Sequence, residues 1–89
     1  MNAIITVIGH DRTGILAKIS TMCAENNANI IDVTQTILND YFTMIMLADI
    51  TSLSTSFGEF SARLKAAGEE IGMVVHVMHE NIFNSMHRI

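Results

Sequence analysis

The chain has 89 residues, of which 49% are hydrophobic and 16% are charged, and its net charge is −4. This length suits one small domain with a single core, and the apolar content excludes a disordered chain. Only five Lys and Arg residues are present, without a cluster, which argues against nucleic acid as a direct partner, and no run reaches the roughly 18 apolar residues of a membrane span.

The first half of the chain predicts a strand, a helix and a long hairpin. Residues 3–8 are apolar and β-branched, which is typical of a central strand. A helix over 13–27 follows, ended by Asn residues, because apolar side chains recur at helical spacing along one side of it: Ile15, Leu16, Ile19, Met22 and Cys23. Residues 29–38 alternate, with one face formed by Ile31, Val33, Gln35 and Ile37, and residues 41–50 return after a tight turn at 39 and 40.

The second half predicts one more helix and one more strand. Ser56 and Glu59 resemble a capping box at the start of a helix over 56–71, which Gly68 weakens slightly near its end. Residues 73–79 form the fourth strand. The last residues, 81–89, form an amphipathic tail that is expected to dock on the sheet or on a partner.

The order strand, helix, strand, strand, helix, strand predicts an α+β fold of the ferredoxin-like βαββαβ type. In this plan two helices cover one face of a four-stranded antiparallel sheet, and residues 1–80 form the single domain. Many strand positions are apolar on both faces. Contact with a second copy, through an edge or a face, is therefore expected.

The segment GHDRTG, residues 9–14, joins the first strand to the first helix. Glycines at both ends allow a close approach of the backbone, and the helix N-terminus that follows attracts carboxylates and phosphates. Asp11 or Thr13 can cap the helix, and Asp11 can also take the ammonium group of an amino acid. The residue types alone favour a capped turn over a ligand site, because capping needs just these residues.

Two motifs resemble the signatures of ACT domains. Residues 9–16, GHDRTGIL, match a strand that ends in Gly-x-Asp-Arg-x-Gly followed by two apolar residues. Residues 26–37, NNANIIDVTQTI, match the second signature, in which an Asn-Ile pair opens the second strand and a Gln follows. The resemblance covers nearly the whole chain. In detail the sequence is similar to small stand-alone ACT proteins of prokaryotes and to one half of the glycine cleavage system transcriptional repressor.

The resemblance implies a non-catalytic regulatory module. ACT domains commonly pair, often side by side into one continuous sheet, and many bind a small effector, typically an amino acid, between the first strand–helix loop of one copy and the second-strand start of the other. The positions that correspond to those contacts are His10, Asp11, Thr13, Gly14, Ile15, Leu16, Asn29, Ile30 and Asp32. In serine-binding relatives an Asn stands in the place of Asp11, so this chain keeps an acceptor there but loses a donor, which argues against serine.

The expected partners are an amino acid or similar small effector, a second copy in a homodimer, and a separate regulated protein, because allostery needs an output. Neither nucleic acid nor a membrane is a predicted partner, and no cofactor is predicted. Two alternatives stay open: a ligand-free interaction module with the same fold, and a small enzyme on this fold. Ligand titration distinguishes the first alternative from the effector-binding regulatory module. Turnover of a substrate would support the second.

The remaining reactive side chains do not predict a catalytic or metal site. His76 and His79 are three residues apart on a strand and therefore lie on opposite faces, which is wrong for sharing a metal. Cys23 falls on the apolar side of its helix and is expected to be an inert core thiol. As the single cysteine it allows no internal disulfide, and with no recognisable signal peptide it predicts a cytoplasmic protein.

Overall fold

A computed structural model describes residues 1–10 and 14–86. The elements in chain order are β1 (Asn2–His10), α1 (Ile15–Glu25), β2 (Asn29–Leu38), β3 (Tyr41–Asp49), α2 (Phe57–Glu70), β4 (Val74–His79) and α3 (Glu80–Met86). The strands form one antiparallel sheet in the order β2-β3-β1-β4. The predicted ferredoxin-like fold is confirmed, and part of the predicted tail forms α3.

The core lies between one face of the sheet and helices α1 and α2. Its largest fully buried side chains include Phe60, Ile5, Ile19, Met44, Met46 and Leu64. Gly68 of α2 is buried against β4, where a side chain would collide with Val75. The sequence alone indicates a slightly weakened helix at Gly68, whereas in the fold this glycine permits the close approach of α2 to the sheet.

The two long helices begin in different ways. The Ser56 hydroxyl accepts the backbone N–H of Glu59 at 3.1 Å, which is half of the predicted capping box. The Glu59 carboxyl is instead held by the Thr55 hydroxyl and the Arg63 guanidinium, and the hydrogen bond from Thr55, followed by the charge of Arg63, lowers the pKa of Glu59. The pair of charges is exposed, so its effect on stability is small.

The N-cap position of helix α1 is occupied by Gly14. Gly14 has φ +86°, a left-handed conformation that suits glycine, and it has no side chain with which to cap. The carbonyl of Gly14 accepts the N–H of Lys18 at 3.0 Å, which is the first helical hydrogen bond. The predicted start at residue 13 is therefore too early. Asp11 and Thr13 themselves lie outside the described residues.

The end of α1 is fixed by a buried asparagine. Asn26 is 4% exposed; its side chain donates to the carbonyl of Met22 at 2.8 Å and accepts a hydrogen bond from Arg63 of α2 at 2.6 Å. The next residue, Asn27, has φ +64°, so the predicted left-handed asparagine at the helix end is confirmed. These contacts set the point from which β2 begins.

Strand β2 has the predicted bounds but contains a bulge. The pairing with β3 shifts between Ile30 and Asp32, so Ile31 is an extra residue, and it is 54% exposed. The face predicted to include Ile31 is therefore interrupted: Ile30 and Val33 pack against the core, and Ile31 does not. A bulge adds one residue to a strand and restarts the alternation.

The sheet face opposite α1 and α2, called the open face below, carries α3. Helix α3 follows β4 directly and lies across β1 and β4, so the predicted docking of the tail on the sheet is found for residues 81–86. Residues 87–89 lie outside the described part. None of the described helices is long and apolar enough to cross a membrane.

Candidate functional site

The first predicted group of site residues lies where β1 gives way to α1. His10 ends β1 opposite Tyr41 of β3, and the two rings stack with centroids 5.4 Å apart. Gly14 is exposed, Ile15 is buried in the core, and Leu16 is 38% exposed. Ile15 therefore anchors the start of the helix, while the backbone of Gly14 and the side chain of Leu16 face solvent.

The N-terminus of α1 is chemically suited to an anion. The first helical hydrogen bond is donated by Lys18, so the backbone N–H groups ahead of it have no acceptor within the helix. They stand at the positive end of the helix dipole. Gly14 itself adds no side chain beside them. Asp11 and Thr13, the other predicted contacts, lie outside the described residues.

The second predicted group lies at the start of β2. Asn29 is exposed and pairs with Asp49 of β3, whereas Ile30 is half-buried against the core. Asp32 follows the bulge, is exposed, and accepts the backbone N–H of Val33 at 2.9 Å. Asn29 and Asp32 thus offer an amide and a carboxylate to solvent at one end of β2.

The two groups lie at opposite ends of the sheet. His10 pairs with the first residue of β3, Tyr41, and Asn29 pairs with the last, Asp49. Eight residues of strand separate these rows, which corresponds to about 26 Å. The structure therefore brings together His10, Gly14, Ile15 and Leu16 at one end, and Asn29, Ile30 and Asp32 at the other. Within one chain the two groups do not meet.

The other reactive side chains have structural positions. His76 faces a cavity beneath α3, while His79 stacks on Phe57 of α2 at 4.0 Å between ring centroids, so the two histidines lie on opposite faces as predicted. Cys23 is fully buried, and burial raises the pKa of its thiol to about 11. Within residues 1–10 and 14–86, no cluster of three His, Cys, Asp or Glu side chains is placed to hold a metal ion.

Two residues near the predicted site, Tyr41 and Asn26, make contacts that the sequence did not predict. Tyr41 stacks on the ring of His10 beside the strand–helix joint. The tight turn at residues 39 and 40 was the available signal, because it places residue 41 at the end of the sheet. Asn26 fixes the approach to Asn29 from the end of α1, and no spacing pattern indicates its bond to Arg63.

Residues 2–78 match the family model of the ACT domain. The chain belongs to the ACT domain family. It is 51% identical to a UPF0237 protein of Methanococcus maripaludis, over 99% of this chain and 98% of that relative. An ACT domain protein from Streptococcus pneumoniae has the same fold, with a TM-score of 0.81 at 35% identity over 93% of both chains.

A second solved structure shows the likeness of fold alone. A putative glycine cleavage system transcriptional repressor superposes with a TM-score of 0.73 at 22% identity, covering 85% of this chain and 43% of the other. One ACT unit of this size thus corresponds to less than half of that longer protein. The two sequence signatures, the element order and the family match agree on the ACT fold.

Proposed function

We propose that this ACT domain is a regulatory, non-catalytic protein that binds an amino acid at the interface of a homodimer and acts on a separate protein. The observation that carries the proposal is the separation of the two signature groups. Within one chain they lie about 26 Å apart, at opposite ends of the sheet. A site that uses both groups needs a second copy.

The edge strand β2 is the surface that suits this pairing. It is ten residues long, against six for the other edge strand, β4, and Asp32 is its one charged residue. Its apolar side chains Ile31 and Ile37 are 54% and 61% exposed. A long edge strand with so little charge is a template for pairing with another strand.

Antiparallel pairing of two β2 strands brings the signature groups to the same end of the joined sheet. Leu38, at the end of β2, pairs with Tyr41, which in turn pairs with His10. In a two-fold pair the start of one β2 lies beside the end of the other. Asn29 of the partner subunit then lies at the end of the sheet that holds His10 and the N-terminus of α1.

The chemistry of the two groups favours a zwitterion. The N–H groups at the start of α1, which have no acceptor within the helix, attract a carboxylate. The carboxylates of Asp11 and Asp32 are acceptors for an ammonium group, and the amide of Asn29 both donates and accepts. The side-chain specificity of the effector then depends on Leu16 and Ile30, the apolar members of the two groups.

The test is calorimetric titration of the purified protein with each common amino acid, with the mass in solution measured beside it. The proposal expects one saturable site per chain, or one per dimer. The variant Asp11→Ala should abolish binding and leave a folded dimer, while Glu69→Ala, which removes an exposed carboxylate from α2, should bind normally. Normal binding by Asp11→Ala would limit Asp11 to a structural role.

The second candidate is a ligand-free interaction module. It is favoured by the exposed apolar side chains of the open face, among them Ile8 and Ile45. A clean dimer that binds no amino acid would support this candidate over the sensor. A pull-down from an extract of the source cell would then be the next experiment.

A further inference from the structure

A cavity of about 150 Å³ lies on the open face, between α3 and the strands β1 and β4. We call it the α3 cavity. Phe83 of α3 forms its roof, and side chains of the two strands form its floor. The lining residues are Ile4, Thr6, His76, Met78 and Phe83.

The position of the roof is fixed at the start of α3. The helix follows β4 without a loop, since β4 ends at His79 and α3 begins at Glu80. The amide of Asn2, in β1, donates a hydrogen bond of 3.4 Å to the Glu80 carboxylate. Both strands of the floor are thus connected to the first residue of the helix, which holds Phe83 over them.

The floor of the α3 cavity has an apolar level and a polar level. Ile4 pairs with Met78, and two residues further along β1, Thr6 pairs with His76. The two levels are about 7 Å apart, because a strand rises about 3.4 Å per residue. A molecule in the cavity therefore meets hydrocarbon and a thioether at one end and two hydrogen-bonding groups at the other.

The polar pair is available to a ligand. Within residues 1–10 and 14–86, neither the Thr6 hydroxyl nor the His76 ring has a hydrogen-bond partner. A threonine hydroxyl both donates and accepts, and a neutral imidazole has one donor and one acceptor nitrogen. A hydroxyl group placed between the two side chains can accept a hydrogen bond from one and donate a hydrogen bond to the other.

The rest of the lining favours an uncharged aromatic ligand. Of the described residues that line the cavity, none is Asp, Glu, Lys or Arg, so a charged ligand would lose water there without gaining a counter-charge from them. The ring of Phe83 and the sulfur of Met78 both make favourable contacts with aromatic rings. The volume agrees, because an apolar cavity of about 150 Å³ engineered in another protein binds benzene.

We propose that the α3 cavity is a binding site for a small neutral phenol. The ring lies between Phe83 and the apolar level of the floor. The hydroxyl group lies between Thr6 and His76, and a substituent opposite the hydroxyl reaches the level of Ile4. Pockets of this kind, mostly apolar with a few placed polar groups, are the usual form of small-molecule sites.

The α3 cavity is separate from the effector site proposed above. It lies over the middle of β1, whereas His10 and Asn29 lie at opposite ends of the sheet. The tests below use no amino acid. A phenol site therefore stands or falls independently of the proposed sensor function.

The first test is titration of the purified full chain with p-cresol and with toluene, which differ only in the hydroxyl group. Binding is followed by the amide signals in proton–nitrogen NMR spectra. We expect saturable shifts at residues 4–6 and 76–78, and a dissociation constant for p-cresol at least tenfold below that for toluene, because two neutral hydrogen bonds contribute about that factor. The absence of saturable shifts at these residues, or equal affinity for the two compounds, would overturn the proposal.

The second test compares two threonine variants that keep the shape of the side chain. Thr6→Val should raise the dissociation constant for p-cresol about fivefold, because one hydrogen bond is lost. Thr34→Val is the matched control, since Thr34 lies in the same row of the open face but outside the lining of the cavity. It should bind p-cresol like the native chain. Equal affinity of the two variants would count against the proposal.

A third variant, Phe83→Ala, removes the roof. It should weaken the binding of p-cresol at least tenfold, while the NMR spectrum reports whether the sheet and the two long helices keep their fold. Native affinity in a folded Phe83→Ala protein would place p-cresol outside the α3 cavity and overturn the proposal.

Discussion

Replacing Asn26 by Ala tests whether one buried asparagine ties the end of α1 to α2. The side chain is 4% exposed, accepts a hydrogen bond from Arg63 at 2.6 Å and donates one to the Met22 carbonyl at 2.8 Å. A hydrogen bond to a charged group stabilises by about 1.5–3 kcal/mol, and one between neutral groups by about 1 kcal/mol. Arg63 is 48% exposed, so water can replace its lost partner.

We therefore expect Asn26→Ala to lower the free energy of unfolding by about 2 kcal/mol, somewhat less than the two contributions combined, because water solvates Arg63 in the variant. For a domain of this size that corresponds to a fall in Tm of about 8–16 °C. The assay is urea unfolding followed by circular dichroism, at fixed protein concentration because association also changes apparent stability. A loss below about 0.5 kcal/mol, the usual effect of a surface substitution, would refute the reasoning.

A double-mutant cycle with Arg63→Ala isolates the contact between the two side chains. Arg63→Ala also removes the ion pair with Glu59, which is exposed and therefore contributes little. The cycle subtracts this contribution, and we expect a coupling energy of about 1 kcal/mol. Strictly additive effects would show that Asn26 acts through the Met22 carbonyl alone.

Three further predictions concern other parts of the fold. Gly68→Ala should destabilise by about 1–3 kcal/mol in urea unfolding, because the new methyl group meets Val75, whereas Gly58→Ala, which points into open space, should be neutral or slightly stabilising. A Gly68→Ala protein as stable as the native chain would show that α2 can move away from the sheet. Glu59→Gln should reduce the loss of stability in acid. Because the pKa of Glu59 is lowered in the folded protein, its ionised carboxylate stabilises the fold fully above the unfolded pKa near 4.5, and this stabilisation is lost as the pH falls through the folded pKa. Equal differences in unfolding free energy between pH 7 and pH 3 in both proteins would contradict this. The Cys23 thiol should react with a thiol reagent at pH 8 at least a hundredfold more slowly in the folded protein than in denaturant, since burial raises its pKa to about 11 and closes access. Fast labelling of the folded protein would mean that α1 opens readily.

The spacing of apolar residues was enough to predict an element where one face of a strand or one side of a helix is buried. The bounds of β2 and the turn at residues 39 and 40 were predicted correctly, because alternation and turn residues are local signals. The start of α1 was placed too early because Asp11 and Thr13 are better capping residues than Gly14. In the structure the N-cap residue is Gly14, with a left-handed backbone, and the helix begins at Ile15.

The site was predicted only as two separate groups of residues. The two motifs indicate which residues to consider, but their distance apart in one chain depends on strand pairing, which is not local. His10 and Asn29 reach opposite ends of the sheet because β3 pairs with both β1 and β2 along its whole length. An effector site that uses both residues therefore needs a second copy of the chain.

The sequence by itself determined the βαββαβ order, the apolar side of α1 apart from Leu16, the burial of Cys23 and the opposite orientations of His76 and His79, because each follows from a period of 3.6 or 2 residues. The tertiary structure decided the rest. It places Gly68 against β4, bonds Asn26 to Arg63 and inserts Ile31 as a bulge. These features arise from contacts between residues far apart in the chain, and no pattern of nearby residues encodes them.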